Sequence, residues 1–329
     1  MKKIEREIVF ITDPWDKENS FSLMRKNTEG NTQKVAMEIL NELKTISDNV
    51  TLYTNIEDFS TNVQKHIGAI VLTTYYGYAA PNSKALIPSI CETHNICYVG
   101  ADSYTQMLCN DKHLSKKYIS DFGLDTPLGV LVRNSNPHEL ELIETLQLPV
   151  VVKPNYGGGS NGISNNNLVH TYEDAIKLVK ELLVYQELPI LVEEYIPGYE
   201  AELVVFGNKN SIIFDEEIGL EIDGVNFFEK QIWGFEAKKA GLHQNKLVYT
   251  NHISPTDRQK IHSLFSSFNK AEIMRIDCRI SGEKVYILEL SPDCYLGPTG
   301  GVARAFAHNN ISYSDMFYSL IKNALNNTY

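Results

Sequence analysis

The stretch MRIDCRISGEKVYILELSPDCYLGPTGG, from Met274 to Gly301, contains two strand-like runs separated by Ser281-Gly282-Glu283, a pattern that predicts a β-hairpin. Side chains alternate between the two faces of a strand, so every second residue of a run shares a face. A three-residue loop would set Asp277 opposite Ile287, with Glu289 one diagonal step away on the same face. Two carboxylates then converge, whereas a four-residue loop would place them on opposite faces.

Two interpretations of this hairpin are open. Arg275 and Glu289 can form a cross-strand ion pair on a solvated face, which is the simpler interpretation because motifs this short often match by chance. The alternative is a functional cluster of carboxylates. The residues that precede the hairpin favour this second interpretation.

The composition is that of a globular chain with enough apolar residues for more than one core. At 329 residues and 43% hydrophobic content, the chain can form two or three domains. No apolar run approaches the roughly 18 residues of a membrane span, and the charged N-terminus is unlike a signal peptide, so we expect a cytoplasmic protein with no membrane partner. Five cysteines without CxxC spacing indicate reduced thiols rather than a disulfide framework.

The formal net charge of −11 argues against nucleic acid as a partner, because binding to a phosphate backbone requires a basic surface. An acidic enzyme that binds a polyanion needs local clusters of cations, usually with a metal ion. The sequence leaves a homodimer open.

Strand-like and helix-like patterns alternate through the N-terminal part of the chain. The strand-like runs are 8–12, 50–53, 69–73 and 96–99, and the helix-like runs are 32–43 and 84–93. This alternation predicts an open parallel α/β sheet. Such sheets bind ligands beyond the carboxyl ends of their strands, so Asp13-Pro14-Trp15 and Thr74-Tyr75-Tyr76-Gly77 are candidate substrate loops, although ordinary βα turns have the same pattern.

A further helix is predicted from Asn110, as its N-cap, to Gly123, a residue type that commonly ends helices. Lys112 lies in the first turn, where a cation opposes the helix dipole, so by default it is an exposed surface lysine. An anionic ligand at the start of this helix would make Lys112 part of a binding site.

A strand-like run from Pro149 to Pro154 contains Lys153 and leads into the glycine-rich loop Asn155–Gly162. Glycines let backbone N–H groups approach an anion, and a lysine at the strand end can reach the same phosphate. The loop is not a Walker A motif, because neither Gly-Lys-Ser/Thr nor a helix follows directly. A flexible hairpin connection is the alternative, and the adjoining lysine makes it less favoured.

The segment Pro189–Glu200 has the pattern of a strand that crosses from one lobe to the next, with an exposed backbone edge at residues 194–196. Such an edge can hydrogen-bond a purine, and a later carboxylate can bind ribose hydroxyls. Exposed glutamates on an edge strand also serve simply to prevent edge-to-edge association. Residues 215–250 are predicted to be irregular, with a lid-like loop around residues 235–239.

Several weak motifs occur in one fixed order: a lysine at a helix start, a lysine before a glycine loop, Val-Glu-Glu-Tyr-Ile-Pro-Gly-Tyr-Glu, Phe-Glu-Ala-Lys, Arg-Ile-Asp and Leu-Glu-Leu. Over roughly residues 100–325 this order resembles the ATP-grasp ligases, and within them the D-alanine–D-alanine ligase-like carboxylate–amine ligases. The resemblance implies a mixed α/β (α+β) ATP-grasp fold, in which an N-terminal open parallel α/β sheet precedes two lobes that clamp ATP. The implied domains are 1–105, 106–190 with the glycine loop, and 191–329 with the metal site.

The resemblance also implies which residues form the site. The implied ATP-binding residues are Lys112, Lys153, Gly158, Gly159, Ser160, Glu193, Tyr195, Ile196 and Glu200. The implied metal ligands are Asp277, Glu289 and Ser291, and the implied catalytic residues are Arg275, Lys238 and Gly297.

Each part of ATP has an implied partner. The two lysines hold the phosphates, and the glycine loop with Ser160 closes over them. Glu193 meets the adenine amino group, while Tyr195 and Ile196 offer backbone contacts. Glu200 binds the ribose.

The implied chemistry suits these residue types. A carboxylate and the γ-phosphate of ATP are both anions, so their reaction needs Mg²⁺, or Mn²⁺, together with Lys and Arg side chains to neutralise the oxygens. Lys238 would lie on a mobile lid near the γ-phosphate, and Arg275 with the backbone near Gly297 would stabilise the tetrahedral intermediate. A closed glycine loop would shield the acyl phosphate from water until an amine attacks it.

The chain departs from the family pattern at two places. Ser291 stands where the family usually has asparagine, two residues after the second metal-binding glutamate. Thr12–Asp16 replaces a Gly-Gly-x-Ser-x-Glu element, whose glutamate is expected to hold the ammonium group of the first substrate. Asp13 or Asp16 either takes its place or caps the next helix.

The sequence therefore predicts an ATP-dependent carboxylate–amine ligase that joins small amino-acid-like substrates through an acyl phosphate and releases ADP and phosphate. One alternative is a true D-alanine–D-alanine ligase of peptidoglycan synthesis. Another, of a different class, is an ATP-binding regulatory module without turnover, an interpretation to which Ser291 points.

Overall fold

The computed structural model describes residues 3–15, 31–77, 80–158, 164–186, 188–232 and 245–327. Its strands form three sheets that follow one another along the chain. A parallel sheet with helices comes first and two antiparallel sheets follow, so the predicted α/β architecture is confirmed. Among the helices described, none combines the length and apolarity that a membrane crossing requires.

The N-terminal sheet is parallel throughout, with the strand order β2-β1-β3-β4. Its elements are β1 (Ile8–Thr12), α1 (Gln33–Ile46), β2 (Val50–Tyr53), α2 (Ile56–Asn62), β3 (Ile70–Thr74), α3 (Leu86–Thr93) and β4 (Cys97–Tyr98). Ile8 and Phe10 of β1 share a core with α1, while Val9 and Ile11 share another with α2 and α3. Burial on both faces is the reason β1 is a continuous apolar run.

Two helices follow this sheet, α4 (Ser103–Asn110) and α5 (Lys112–Ser120). The predicted helix start at Asn110 is wrong, because Asn110 ends α4 and the side chain of Asp111 caps α5. Asn110 instead accepts a hydrogen bond from the backbone N–H of Gly157 at 2.9 Å. Asparagine and aspartate cap helices about equally well, so local sequence does not separate the two positions.

The central sheet is antiparallel, with the order β5-β8-β6-β7, and α7 shares its core. Its elements are β5 (Gly129–Val132), α6 (Pro137–Glu141), β6 (Val150–Pro154), β7 (Leu168–Val169), α7 (Tyr172–Gln186) and β8 (Ile190–Glu194). The predicted strand before the glycine loop corresponds to β6. The division into domains stays a prediction, and a boundary after Glu194 instead of 190 would keep β8 within one sheet.

The C-terminal sheet is also antiparallel, with the order β12-β10-β9-β13-β14 and with β11 paired to β9. Its elements and the helices around it are β9 (Gly198–Asn208), β10 (Ser211–Ile222), β11 (Phe227–Phe228), β12 (Asn245–Tyr249), α8 (Pro255–Ser267), β13 (Ile273–Ser281), β14 (Lys284–Ser291), α9 (Gly301–His308) and α10 (Tyr313–Asn326). One apolar core connects β9, α9 and α10 to α1 and β1. This core holds the C-terminal sheet against the N-terminal sheet.

The predicted irregular structure from residue 215 is wrong for β10, which is a strand of 12 residues. Asp215, Glu216 and Glu217 are acids of a kind that strands usually lack, but each has a cationic or imidazole partner. Arg258 pairs with Asp215 and lies 2.8 Å from Glu217, and His308 lies 2.6 Å from Glu216. Contacts with α8 and α9 therefore outweigh the local preference.

The β13–β14 hairpin has a two-residue loop, Gly282-Glu283, so the predicted three-residue loop is wrong. Four regular residue pairs follow the loop, a register that would set Asp277 opposite Leu288 and turn Glu289 to the other face. A β-bulge at Leu288 adds one residue to β14, and Asp277 pairs with Glu289 instead. The predicted convergence of two carboxylates is confirmed, although the bulge produces it rather than the loop.

Candidate active site

A cleft between the central and C-terminal sheets collects most of the predicted site residues. Those that line it are Lys153, Glu193, Tyr195, Ile196, Glu200, Arg275, Asp277 and Glu289. Strands β6 and β8 supply one wall, and β9, β13 and β14 supply the other. Because side chains alternate along a strand, residues two apart, such as Arg275 and Asp277, face the same cleft.

Asp277 and Glu289 lie directly opposite each other on β13 and β14. Arg275 donates to both oxygens of Asp277, from Nε at 2.7 Å and from Nη2 at 2.8 Å. Burial by itself would raise the pKa of Glu289, but the ammonium groups of Lys112 and Lys153 outweigh burial and bring that pKa to about 2. Glu289 is therefore ionised at neutral pH.

This carboxylate pair suits a hard divalent cation. Ionised carboxylates are the oxygen ligands that Mg²⁺ prefers, and Mg²⁺ keeps several waters, so few protein ligands are needed. Ser291 ends β14 opposite Arg275, which places it on the same face as Glu289. Within the part of the chain that the structure describes, no group of three or more His, Cys, Asp or Glu side chains is placed to hold a metal. A metal here would depend on Asp277, Glu289 and the hydroxyl of Ser291.

Lys112 is buried at the start of α5 and is not the exposed lysine expected by default. Its Nζ lies 3.3 Å from Oε1 of Glu289 and donates a hydrogen bond to the carbonyl of Gly157. Its backbone N–H donates to the carbonyl of Asn155 at 3.1 Å. Lys112 thus connects β14 to the start of the glycine loop.

Glu193 on β8 faces two lysines. Lys153 contacts its Oε1, and Nζ of Lys116 lies 3.3 Å from its Oε2. Burial acts to raise the pKa of Glu193, but the two ammonium groups outweigh it and lower the pKa. Both oxygens of Glu193, which is predicted to contact the adenine amino group, already face ammonium groups. An adenine that binds Glu193 would therefore share one of these oxygens with a lysine.

Sequence reasoning overlooked Lys116. It lies one turn after Lys112 on α5, is buried, and donates to the carbonyl of Leu288 at 2.7 Å. Burial lowers the pKa of Lys116 to about 8, although Glu193 favours the charged form. The signal was its spacing from Lys112, since residues four apart lie on one helix face.

Part of the backbone edge predicted at 194–196 is already hydrogen-bonded within the protein. The N–H of Glu194 donates to the carbonyl of Leu128, and the N–H of Tyr195 donates to the carbonyl of Pro149, both at 2.9 Å. The N–H of Ile196 has no hydrogen-bond partner among the described residues. Ile196 can therefore still offer its N–H to a purine, whereas Tyr195 can offer only its carbonyl.

Arg279 is a second residue that sequence reasoning did not assign. Its buried guanidinium donates to Oε2 of Glu200 at 2.6 and 3.0 Å, and to the hydroxyl of Tyr195 and the carbonyl of Ile196 at 3.0 Å each. A ribose contact from Glu200 would therefore use Oε1. The position of Arg279 two residues after Asp277, on the same strand face, was the available signal.

The glycine loop begins from an anchor on the α4–α5 junction. The side chain of Asn155 accepts from the N–H of His113 and donates to Asp111, both at 2.9 Å. Gly157 donates to Asn110 and has a φ of +81°, a conformation that favours glycine. The predicted phosphate loop therefore starts from a defined position next to Lys112.

The remaining predicted residues lie at the loop, at the lid and after β14. Gly158 directly follows the anchored residues, whereas Gly159, Ser160 and Lys238 lie outside the described residues. Gly297 is buried, and a Cβ atom there would collide with the ring of Tyr295. Any larger residue at position 297 would therefore have to displace this ring.

The two N-terminal candidate loops meet at the edge of the parallel sheet. The carboxylate of Asp13 accepts from the N–H groups of Tyr76 at 3.0 Å and Gly77 at 2.9 Å. Asp13 therefore orders the second loop. Asp16 lies outside the described residues.

Lys84 and Asp293 connect this edge to the segment after β14. Their side chains form an ion pair at 2.7 Å and are 9% and 17% exposed. Lys84 is also one of the cations that lower the pKa of Glu289. Lys84, between β3 and α3 of the N-terminal sheet, thus lies close enough to the carboxylate pair to influence its charge.

Comparison with known proteins places this site in a family. Residues 120–322 match the family model described as the D-Ala–D-Ala ligase C-terminus, which is more than half of the chain. The chain belongs to the D-alanine–D-alanine ligase family. This family membership confirms the resemblance on which the site residues were assigned.

Two curated members of the family show how distant the similarity is. The chain is 25% identical over 239 residues to D-alanine–D-alanine ligase A of Escherichia coli (strain K12), which covers 70% of this chain and 63% of that protein. It is 28% identical over 243 residues to D-alanine–D-alanine ligase B of Clostridium perfringens (strain 13 / Type A), covering 73% and 76%. The chain thus matches less than two thirds of the length of the Escherichia coli ligase.

Solved structures of the family show the same fold. The D-alanine–D-alanine ligase from Bacillus anthracis, complexed with ATP, superposes with a TM-score of 0.73 over 98% of both chains at 16% identity. The VanG D-Ala:D-Ser ligase from Enterococcus faecalis gives a TM-score of 0.69 at 17% identity, over 98% of this chain and 100% of that chain. The predicted ATP-grasp fold is therefore confirmed.

Proposed function

We propose that this protein is an ATP-dependent ligase that joins a carboxylate of one amino-acid-like substrate to an amine of another. The observation that carries the proposal is the pair Asp277 and Glu289, set opposite each other in the cleft. Arg275 binds Asp277, and Lys112 lies 3.3 Å from Glu289. Ionised carboxylates surrounded by cations are the arrangement that activation of one anion by another requires.

The lysines bind and orient the phosphates of ATP. Lys112 and Lys153 reach the cleft from α5 and β6, and Lys112 also donates to the carbonyl of Gly157 at the anchored start of the glycine loop. Both ammonium groups already lie beside carboxylates of the cleft, Glu289 and Glu193. The Ile196 N–H and Oε1 of Glu200 would bind the adenine and ribose.

ATP would supply the phosphoryl group that turns the donor carboxylate into an acyl phosphate, with release of ADP. Asp277, Glu289 and Ser291 would hold Mg²⁺, which would supply positive charge to the phosphate oxygens. Arg275 contributes positive charge to the oxygen that develops when the amine attacks. Gly297 and Lys238 keep their predicted roles, as an N–H donor and as a cation near the γ-phosphate.

The substrates are proposed only as small amino-acid-like molecules. The acid nearest the N-terminal sheet edge, Asp13, already accepts two backbone hydrogen bonds from the loop at Tyr76, so it does not simply replace the glutamate of the family pattern. Asp293, paired with Lys84 after β14, is the other acid at this junction. True D-alanine–D-alanine ligation is an alternative, because the relatives above carry that name.

The test is incubation of the purified protein with ATP, Mg²⁺ and a panel of D- and L-amino acids, with phosphate release and product mass as readouts. The proposal expects ADP, phosphate and an amide-linked product in equal amounts. D-alanyl-D-alanine as sole product would establish the narrower alternative. Nucleotide binding without ADP formation, with every amino acid tested, would instead support the regulatory module.

A further inference from the structure

Lys116 is buried on α5 and contacts both β8 and β14. Its Nζ donates to the carbonyl of Leu288 at 2.7 Å and lies 3.5 Å from the carbonyl of Ile287, both on β14. The same atom lies 3.3 Å from Oε2 of Glu193 on β8. One ammonium group therefore contacts the bulge of β14 and the nucleotide wall at once.

The bulge at Leu288 decides the geometry of the carboxylate pair. Without the extra residue, Asp277 would pair with Leu288, and Glu289 would turn away from the cleft. A bulge interrupts the ladder of backbone hydrogen bonds, so its carbonyl groups need other donors. The outer edge of β14 receives these from Lys116, while the N–H of Ile287 donates to the carbonyl of Asp125 at 2.8 Å.

We propose that Lys116 is a positioning residue that holds the Leu288 bulge and thereby keeps Glu289 opposite Asp277. The inference rests on the proposed function, because it assigns Lys116 to the metal-binding geometry of the same site. Lys116 touches neither substrate nor metal in this role. It acts through the backbone of β14.

A simpler role for Lys116 would be neutralisation of Glu193. Lys153 already neutralises Glu193 in part, because it contacts the other oxygen of the same carboxylate. The two roles differ in what they predict when Glu193 loses its charge. If Lys116 serves only Glu193, its removal is harmless in a Glu193→Gln background; if it holds the bulge, its removal is equally damaging in both backgrounds.

The experiment measures binding of Mn²⁺ alone to the full-length protein, by electron paramagnetic resonance of the free ion. The variants are Lys116→Met, Glu193→Gln and their combination, with Glu289→Gln as the reference for a lost site. Lys117→Met is the matched control, since Lys117 is the next residue on α5 and is exposed. Circular dichroism and thermal unfolding establish that each variant is folded.

The proposal expects Lys116→Met to weaken Mn²⁺ binding by about tenfold or more, toward the level of Glu289→Gln, as loss of a supporting contact behind a metal ligand does. The same fold loss is expected when Lys116→Met is added to Glu193→Gln and compared with Glu193→Gln alone, while Lys117→Met binds Mn²⁺ normally. Unchanged Mn²⁺ binding in Lys116→Met, or its recovery in the double variant, overturns the inference.

Lys116→Arg covers the case in which Lys116→Met does not fold. Arginine keeps the charge and the donors for the Leu288 carbonyl, so we expect Mn²⁺ affinity within about threefold of the unmodified protein. A tenfold loss of affinity in a folded Lys116→Arg protein counts against the inference.

Failure of this inference and failure of the proposed function give different results. A protein that binds Mn²⁺ through Glu289 but ligates no substrate contradicts the function alone, whereas a ligase whose Lys116→Met form binds Mn²⁺ normally contradicts only the role of Lys116.

Discussion

Glu289 in the cleft and Glu272 immediately before β13 are both carboxylates whose pKa burial acts to raise, yet the pKa is lowered at Glu289 and raised at Glu272. Glu272 is 0% exposed and has one cationic partner, Lys270, whose Nζ lies 2.7 Å from both its oxygens. At Glu272 the effect of burial is larger than the effect of Lys270, and the pKa of Glu272 is raised. At Glu289 the effect of several nearby cations is larger than the effect of burial, and the pKa is lowered to about 2.

The number of cations around each carboxylate explains the difference. Lys270 and Glu272 form a nearly isolated pair, which also binds both backbone groups of Gly100 and so connects the N-terminal sheet to β13. Around Glu289, four cations act to lower its pKa, namely Lys112, Lys153, Lys84 and Arg275. Glu272 thus has one cation beside it, whereas Glu289 has several that keep it ionised.

The largest expected effect separates these two carboxylates by activity. Glu289→Gln should lower the ligation rate by about 10³-fold, because it removes a metal ligand and a charge from the reacting centre. Glu272→Gln should leave the rate unchanged within about twofold. Product formation at saturating ATP, with circular dichroism to verify folding, tests both variants. Near-normal turnover of Glu289→Gln would refute the site assignment.

For the free energy of unfolding, we expect the larger effect at the Lys270–Glu272 pair. Lys270→Met leaves Glu272 buried without its cation, and removal of one partner from a buried pair costs about 3 kcal/mol of unfolding free energy. Urea unfolding measures this cost, while kcat of the folded protein is expected to remain unchanged. The control is Lys260→Met, because Lys260 pairs with Asp257 on the surface of α8, where such pairs contribute less than about 1 kcal/mol. Equal losses in the two variants would contradict the structural role of Lys270.

The smallest expected effect is a difference in pH dependence. The folded protein holds a proton on Glu272 above the ordinary glutamate pKa of 4.5, so this stabilising contribution is present below pH 4.5 and is lost as pH rises through the raised pKa. For Glu289 the sign is opposite, since its contribution is present above 4.5 and is lost as pH falls toward about 2. Each slope is at most about 1.4 kcal/mol per pH unit.

Urea unfolding of the unmodified protein, Glu272→Gln and Glu289→Gln at a series of pH values between about 3.5 and 7 would measure how the free energy of unfolding changes with pH. The stability advantage of the unmodified protein over Glu272→Gln should shrink as pH rises. Its advantage over Glu289→Gln should shrink as pH falls below 4.5. Parallel slopes for both variants would contradict the assigned environments.

Local sequence was sufficient for most elements of the N-terminal sheet. The residues Ile8–Ile11 are all apolar because helices cover both faces of β1, and Thr32 caps α1 through its own hydroxyl. The fixed order of the motifs likewise identified the family and the residues that line the cleft. Such features depend on neighbours in sequence or on chemistry that the family shares.

Where prediction failed, the deciding contacts came from distant parts of the chain. Three of the four acids of the strand at 211–222 pair with residues of α8 and α9, which are distant in sequence. Lys112 is buried because β14 passes over the start of α5. Gly282 at the first loop position suits a two-residue hairpin turn, so that part of the register was available from sequence.

The sequence by itself determined the ATP-grasp family, the parallel N-terminal sheet and the identity of the two carboxylates that converge. Only the tertiary structure decided how they converge. The short loop alone would direct Asp277 and Glu289 to opposite faces, and the bulge at Leu288 reverses that outcome. The bulge is held by Lys116, more than a hundred and fifty residues earlier in the chain. A hydrogen bond between such distant residues exists only after the sheets and α5 have packed, which is why no local pattern in the hairpin encodes it.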